Sequence, residues 1–239
     1  MSDVILLLQV RDADDPMRQH EVECFRRVLS LDPAQLGTFD LLSGPLPESW
    51  ITAAQMILLG GSGNYSAVGH EAWLDVALDS LRLVHTSGTP TFASCWGFQA
   101  LARAMGGTVQ HMPERAEVGT LPIHLTDAAV ADEVFGSTPN PFAGQLGHED
   151  FVTELPPGTT ELARTERSVQ AFRFDGLPVY CTQFHPELNR ADLEQRLAAY
   201  PEYVELTTGQ SYSAAIAALQ ETPDAAELLR RFYQTYVRR

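Results

Sequence analysis

Thr91-Phe92-Ala93-Ser94-Cys95-Trp96-Gly97-Phe98-Gln99-Ala100-Leu101-Ala102-Arg103-Ala104-Met105 changes its periodicity at one residue. Thr91 to Ala93 reads as a short strand, and Trp96 to Met105 has helical spacing, closing on Gly106-Gly107, a candidate left-handed C-cap. A cysteine at that join projects from a sharp strand-to-helix turn at the carboxyl edge of a parallel sheet, where open α/β sheets bind ligands. The small neighbours Ala93, Ser94 and Gly97 permit the tight turn.

Outward from this join the chain keeps alternating. Val4 to Val10 (VILLLQV) is almost continuously apolar, as in a strand buried on both faces. Val22, Phe25, Val28 and Leu29 then mark a helix from Pro16 to about Leu31, Thr38 to Leu42 a second strand, and Met56 to Leu59 a third. Trp73, Ala77, Leu81 and Val84 mark a further amphipathic helix. Strand and helix in alternation imply right-handed βαβ units and a parallel sheet, so the fold class is α/β. Beyond the join, Gln170 to Phe174 and Val179 to Phe184 read as a hairpin around Asp175-Gly176. After Pro186 the chain turns helical: Leu193 to Tyr200 is amphipathic, and a last helix has Thr222 as N-cap, Pro223 at N1 and an apolar face of Ala225, Leu228, Leu229, Phe232 and Tyr236. One α/β domain over residues 1–190, with a helical extension over 191–239 packed on it, is the expected organisation.

Composition narrows the function. The 239 residues carry a net charge of −15, which repels phosphate backbones and anionic membranes, so neither is an expected partner. All 16 basic residues are arginine. The absence of lysine removes a P-loop lysine, a Schiff-base lysine and a lysine general base. Three cysteines, an odd number, suit a reducing compartment. No basic segment precedes the first apolar run, and no apolar stretch approaches a membrane span. A cytoplasmic protein is expected.

Three segments carry candidate chemistry. Cys95 precedes a helix whose amino terminus favours a thiolate, and the Trp96 amide there is placed to receive an oxyanion; a small buried hydrophobe is the alternative. In Cys181-Thr182-Gln183-Phe184-His185-Pro186-Glu187, proline holds His185 extended, so His185 and Glu187 share one side and the carboxylate fixes the imidazole that faces a thiol. Alone, this histidine reads by default as a structural residue at a strand end. Gly60-Gly61-Ser62-Gly63 ends a strand with backbone amides free to approach a ligand, or simply turns the chain. His111 and His124 have no ligand partners at metal spacing, so no metal and no cofactor are expected. His20, His70 and His85 read as solvated, Cys24 and Cys181 as core, and His148 as either a pocket or a loop residue.

In this order the segments resemble the class I glutamine amidotransferases, whose pattern is a G-G turn, then G-x-C-x-G-x-Q, then a strand ending in Q-F-H-P-E. Here these are Gly60-Gly61, Ala93-Ser94-Cys95-Trp96-Gly97-Phe98-Gln99 and Gln183-Phe184-His185-Pro186-Glu187, and Glu117-Val118-Gly119 and His148-Glu149-Asp150 match two smaller pieces. The resemblance covers about residues 40 to 190. It implies a flavodoxin-like three-layer sandwich with a mostly parallel central sheet. It also implies Cys95 as nucleophile, His185 as base and acid, Glu187 as orienting carboxylate, Gly61 and Trp96 as oxyanion-hole amides, and Gln99 and His148 as substrate-binding residues. A γ-glutamyl thioester would form from glutamine and yield ammonia, similar to the amidotransferase domain of GMP synthase.

Ala93 replaces the usual glycine, Ser62 stands where proline is frequent, and the residues after Glu187 carry no recognisable synthetase motif. Ammonia would then pass to a separate synthetase subunit or to an acceptor bound by the extra helices. A stand-alone hydrolase of γ-glutamyl peptides or other small amides, and a catalytically silent binding module, are the alternatives.

Overall fold

Continuous apolarity from Ile5 to Val10 leaves a strand no face to give to water, so it must lie inside a sheet covered on both sides. The computed structural model describes residues 4–199, 204, 205, 207 and 209–238. Strand β1 (Ile5–Val10) runs parallel to β2 (Leu36–Asp40) and β3 (Met56–Ser62). β3 pairs with β4 (Thr91–Ser94) and β4 with β11 (Val179–Thr182), again in parallel. Antiparallel pairing then continues through β10 (Val169–Phe174), β9 (Thr159–Arg164), β6 (Glu117–Leu125) and β7 (Phe142–His148). The result is one nine-stranded sheet in the order β2-β1-β3-β4-β11-β10-β9-β6-β7. β5 (Thr108–His111) and β8 (Asp150–Glu154) form a separate antiparallel ribbon.

Side chains alternate across the sheet with period two, and each set finds its own helices. Ile5, Leu7, Met56, Leu58 and Phe92 pack with Phe25, Val28 and Leu29 of α1 (Pro16–Leu29) and with Leu228, Leu229 and Phe232 of α7 (Pro223–Tyr236). Leu6, Leu8, Ile57, Leu59 and Ala93 pack on the opposite face with α3 (Ala72–Ser87) and α4 (Trp96–Ala104). The short α2 (Glu48–Ala53) adds Ile51 to that second layer. The architecture is a three-layer α/β sandwich whose parallel half holds the strands read from the sequence and whose antiparallel half was legible only at β10.

Local departures have local causes. α1 stops at Leu29 because Ser30 takes a left-handed conformation (φ 53°). The second strand ends at Asp40, whose carboxylate accepts from Leu42 N at 2.9 Å and turns the chain. The Gly106-Gly107 cap is present, with Gly106 N donating to Arg103 O (3.1 Å) and Gly107 N to Ala102 O (2.8 Å). Thr222 precedes α7 but gives it no side-chain cap; its hydroxyl donates to Leu188 O at 3.4 Å.

The segment after residue 190 makes two different contacts. α5 (Arg190–Ala198) packs Leu193 and Leu197 against Cys24 of α1, with Leu219 beyond α6 (Tyr212–Ala217). α7 enters the main core, where the Phe232 ring meets Phe92 at 5.3 Å and Tyr180 at 5.5 Å. Tyr200, the end of one expected amphipathic stretch, lies outside the described residues. Phe232→Ala should therefore cost about 3–5 kcal/mol in urea unfolding, the range for removing a fully buried aromatic. A loss under about 1 kcal/mol, ordinary for a surface site, would mean that α7 is peripheral to the sheet.

Candidate active site

Adjacent parallel strands deliver their following residues to the same edge. Thr182 of β11 lies in register with Ser94 of β4, and Leu59 of β3 with Ala93. Cys95 and the Gln183–Glu187 segment therefore leave β4 and β11 beside the Gly60–Gly63 stretch. β3 does not stop at Leu59 as its sequence suggested but runs through the glycines to Ser62, with a register shift opposite Leu8–Val10. Cys95 N donates to Thr182 O at 2.8 Å, tying two of these exits together. Cys95 itself holds φ 51° and ψ −106°, a conformation that costs a non-glycine residue about 1–3 kcal/mol and clusters at functional sites. Gly97 lets α4 approach: a Cβ there would come within 2.5 Å of Leu59 Cβ. These exits open into a cavity of about 390 Å³ lined by Cys95, Trp96, Gln99, His148 and His185 among others.

His185 Nδ1 lies 2.6 Å from Glu187 Oε1, and both residues are buried. Burial disfavours the imidazolium, but the Glu187 carboxylate and the Cys95 thiol outweigh it and push His185 up to about 9. Burial likewise acts to raise Glu187, yet His185 and Arg196 hold it below the usual carboxylate range. Arg196, from α5, places Nη1 3.4 Å from His185 Nδ1 and 3.8 Å from Glu187 Oε1. Imidazole, carboxylate and guanidinium are thus stacked behind the thiol.

The glycine turn fits against this stack. A Cβ on Gly61 would lie 2.9 Å from His185 Cε1, and one on Gly60 would overlap the buried Glu21 carboxylate, at 2.1 Å from Oε1. Only glycine leaves room for either. The backbone amide of Trp96 opens α4, among the first-turn donors that have no partner within a helix. Its ring stands beside Trp73 at 6.2 Å, and Trp73 meets Tyr65 at 5.1 Å, giving the cavity an aromatic flank.

At the other end Asp150 is a hub. Its backbone oxygen accepts from Gln99 Nε2 (2.9 Å) and lies 3.1 Å from His148 Nδ1, while its carboxylate takes the Ser66 hydroxyl (2.5 Å) and His111 Nδ1 (2.8 Å). Gln99 Nε2 also donates to Gln183 Oε1 at 3.2 Å, so this amide braces the framework as well as lining the cavity. His148 Nε2 sits 3.3 Å from Glu117 Oε2. Burial would raise Glu117, but His148 and the Ser168 hydroxyl hold it below the usual range.

Of the seven sequence-selected residues, Cys95, Trp96, Gln99, His148 and His185 line the cavity, while Gly61 and the fully buried Glu187 stand behind the lining against His185. Arg11, Arg196, Ser66, His111 and Asp150 were not selected. Arg11 carried a signal, as the first charged residue after a fully buried strand; Arg196 looked like any basic residue in a last helical turn. His20 corrects an expectation of solvation: it is buried, 3.4 Å from Asp192 and near Cys24. Burial pushes the Cys24 thiol up to about 12. His20, Cys24 and Asp192 could hold an ion by geometry, but both Asp192 oxygens are engaged by Arg27, whose guanidinium takes the place of a cation. His85 is also partly buried, its ring 4.5 Å from Phe174. Among the described residues no helix is long and apolar enough to cross a membrane.

A family model described as glutamine amidotransferase class-I matches residues 41–199. The chain is 34% identical over 136 residues to the glutamine-hydrolysing GMP synthase of Streptomyces avermitilis, spanning 56% of this chain and 24% of that protein. It is 36% identical over 118 residues to the glutamine-hydrolysing GMP synthase subunit of Thermococcus kodakarensis, spanning 49% of this chain and 60% of that one. The glutamine amidotransferase-like protein chyE of Penicillium rubens is 27% identical over 216 residues, 89% of this chain and 87% of chyE. A glutamine amidotransferase crystal structure from Thermotoga maritima superposes with a TM-score of 0.78 over 100% of both chains, at 18% identity, a likeness of fold.

The imidazole gives a pH test. A histidine raised from its ordinary value of about 6.5 contributes stability fully present below that value and lost as pH rises through the folded value. For His185 the loss should run from about pH 6.5 to about 9. Thermal unfolding across that window should show the decline, and Glu187→Gln should flatten it. An undiminished decline in Glu187→Gln would assign it to another group.

Proposed function

This chain belongs to the class I glutamine amidotransferases, and from that we propose that Cys95, His185 and Glu187 hydrolyse the side-chain amide of glutamine. The observation that carries the reading is the buried 2.6 Å contact of His185 Nδ1 with Glu187, placed just past the end of β11, the strand in parallel register with β4, which Cys95 follows. A histidine pushed up to about 9 is protonated at neutral pH, and a cationic imidazole beside a thiol favours its thiolate form. Cys95 Sγ then attacks the amide carbon as a thiolate, and the carbonyl oxygen becomes an oxyanion received by the amides of Gly61 and Trp96. Collapse breaks the C–N bond as His185 gives its proton to the departing nitrogen, releasing ammonia. The neutral imidazole next takes a proton from water, whose oxygen attacks the γ-glutamyl thioester; the C–S bond breaks, glutamate leaves and the thiolate is restored. Glu187 orients the ring and offsets its charge throughout. Gln99 and His148 hold the amino-acid part of the substrate.

The ammonia acceptor lies elsewhere in this reading. The matched relatives include a GMP synthase of which this chain spans a quarter, and a glutamine-hydrolysing GMP synthase chain that is itself named as one subunit. We therefore assign ammonia delivery to a separate synthetase partner.

Purified protein incubated with glutamine should release glutamate and ammonia in equal amounts, and Cys95→Ser should abolish this while keeping the parental unfolding curve. Glu187→Gln should lower kcat by roughly 10²–10⁴-fold with a smaller change in KM, as when an orienting carboxylate is neutralised. Full activity of Glu187→Gln beside an inactive His185→Ala would reduce the triad to a dyad. A γ-glutamyl peptide turned over while glutamine is not would keep the triad and replace the substrate.

A further inference from the structure

Arg11 is the first residue after β1, on the carboxyl edge of the sheet, and lines the same cavity as Cys95 and His185. It is 3% exposed. Burying a guanidinium is expensive unless its charge is answered, so its surroundings indicate what it is kept for. Nη1 donates to Asp15 at 2.9 Å, and Nε stands 3.8 Å from the buried Glu21 carboxylate, itself held by Gln9 Nε2 at 3.0 Å. The two terminal nitrogens of the guanidinium also meet the glycine turn. The Cβ position of Gly61 is 3.8 Å from Arg11 Nη2 and 2.9 Å from His185 Cε1, and that of Gly63 is 3.6 Å from Arg11 Nη1. Guanidinium, imidazole and turn converge on one point beside the thiol.

We propose that Arg11 is a positioning residue for the Cys95 chemistry, a fixed positive charge that stabilises the thiolate and the oxyanion through the Gly60–Gly63 turn. The proposal rests on the reading of Cys95 as nucleophile and extends it to a residue that precedes the stretch matched by the family model. Its physical basis is preorganisation: a charge already anchored by Asp15 and Glu21 needs no rearrangement when negative charge develops. Burial works against the Arg11 cation, but Glu21 and Asp15, with a smaller contribution from the side of Cys95, hold it above its ordinary value. Asp15 and Glu21 also mask part of the charge, so removing either end of the Arg11–Asp15 pair should have opposite effects on the thiol.

The other groups facing Cys95 stay constant in such a comparison. His185 is backed by Glu187 and Arg196. Across the cavity stand Glu149, His111 with Asp150, and His148 with Glu117.

The test reads alkylation of Cys95 by iodoacetamide against pH in the full chain, quantified by peptide mass spectrometry with the buried Cys24 and Cys181 as internal references. Parental Cys95 reacting no faster than those two would remove the nucleophile reading itself, before any variant is made. With that met, Arg11→Met should move the midpoint up by about one pH unit, the size of a single partly masked charge. Arg11→Lys should restore most of the shift. Asp15→Asn keeps an oxygen to cap α1 at Met17 N but unmasks Arg11, and should move the midpoint down. Midpoints unchanged in both Arg11→Met and Asp15→Asn, or displaced in the same direction, would overturn the proposal. If Arg11→Met does not fold, Asp15→Asn decides alone: a downward shift supports the role and an unmoved midpoint rejects it.

Discussion

The parallel register that sets Thr182 beside Ser94, and Ala93 beside Leu59, is the constraint on which the site depends. Hydrogen bonds between strands fix relative height to well under a residue, since a slip of one would turn every side chain to the other face. Because β3, β4 and β11 all point the same way, the residues that follow them are delivered to one edge without any further ordering. The turn, the thiol and the imidazole come from three separate segments that together span more than a hundred residues of chain, yet meet at one cavity. The strained backbone of Cys95 survives because both its flanks are held: β4 is paired on each side, and α4 is pressed onto Leu59 through Gly97.

Charge inside the cavity is arranged as pairs rather than as a field. The surface excess of acid gives the chain a net charge of −15, but the buried charges near Cys95 are answered one by one. His185 has Glu187, Glu187 also has Arg196, Arg11 has Asp15 and Glu21, and His148 has Glu117. In a low-dielectric interior an unanswered charge of this kind would destabilise the fold by several kcal/mol. Among these pairs, the Glu187 carboxylate is what raises the His185 imidazole against its burial.

The helical segments contribute unequally to the site. α5 reaches the cavity with Leu193, Arg196 and Leu197, and it closes on α1 through the Arg27–Asp192 ion pair. α7 lies over Phe92 and Tyr180, under the strands that carry the cysteine and the histidine segment, so its role is to support their position. α1 connects the two, bearing Glu21 beneath Gly60 and Phe25 in the main core.

Periodicity and turn chemistry alone determined the parallel half of the sheet, its helices, the strand–cysteine–helix join and the His185-Pro186-Glu187 segment, because these are properties of neighbours in the chain. Resemblance added Gly61, Gln99 and His148 to one site. The antiparallel strands β6 to β9 were not legible, since their burial alternates irregularly and their pairing is decided by distant partners. Nor was the burial of His20 or Arg11, or the partial burial of Arg196. A polar residue can be enclosed only when its counter-charge arrives from elsewhere: Asp192 for His20, Glu21 for Arg11, Glu187 for Arg196. Local sequence encodes which way a side chain faces, but which charge it meets there is set by how the helices pack, and that belongs to the tertiary structure.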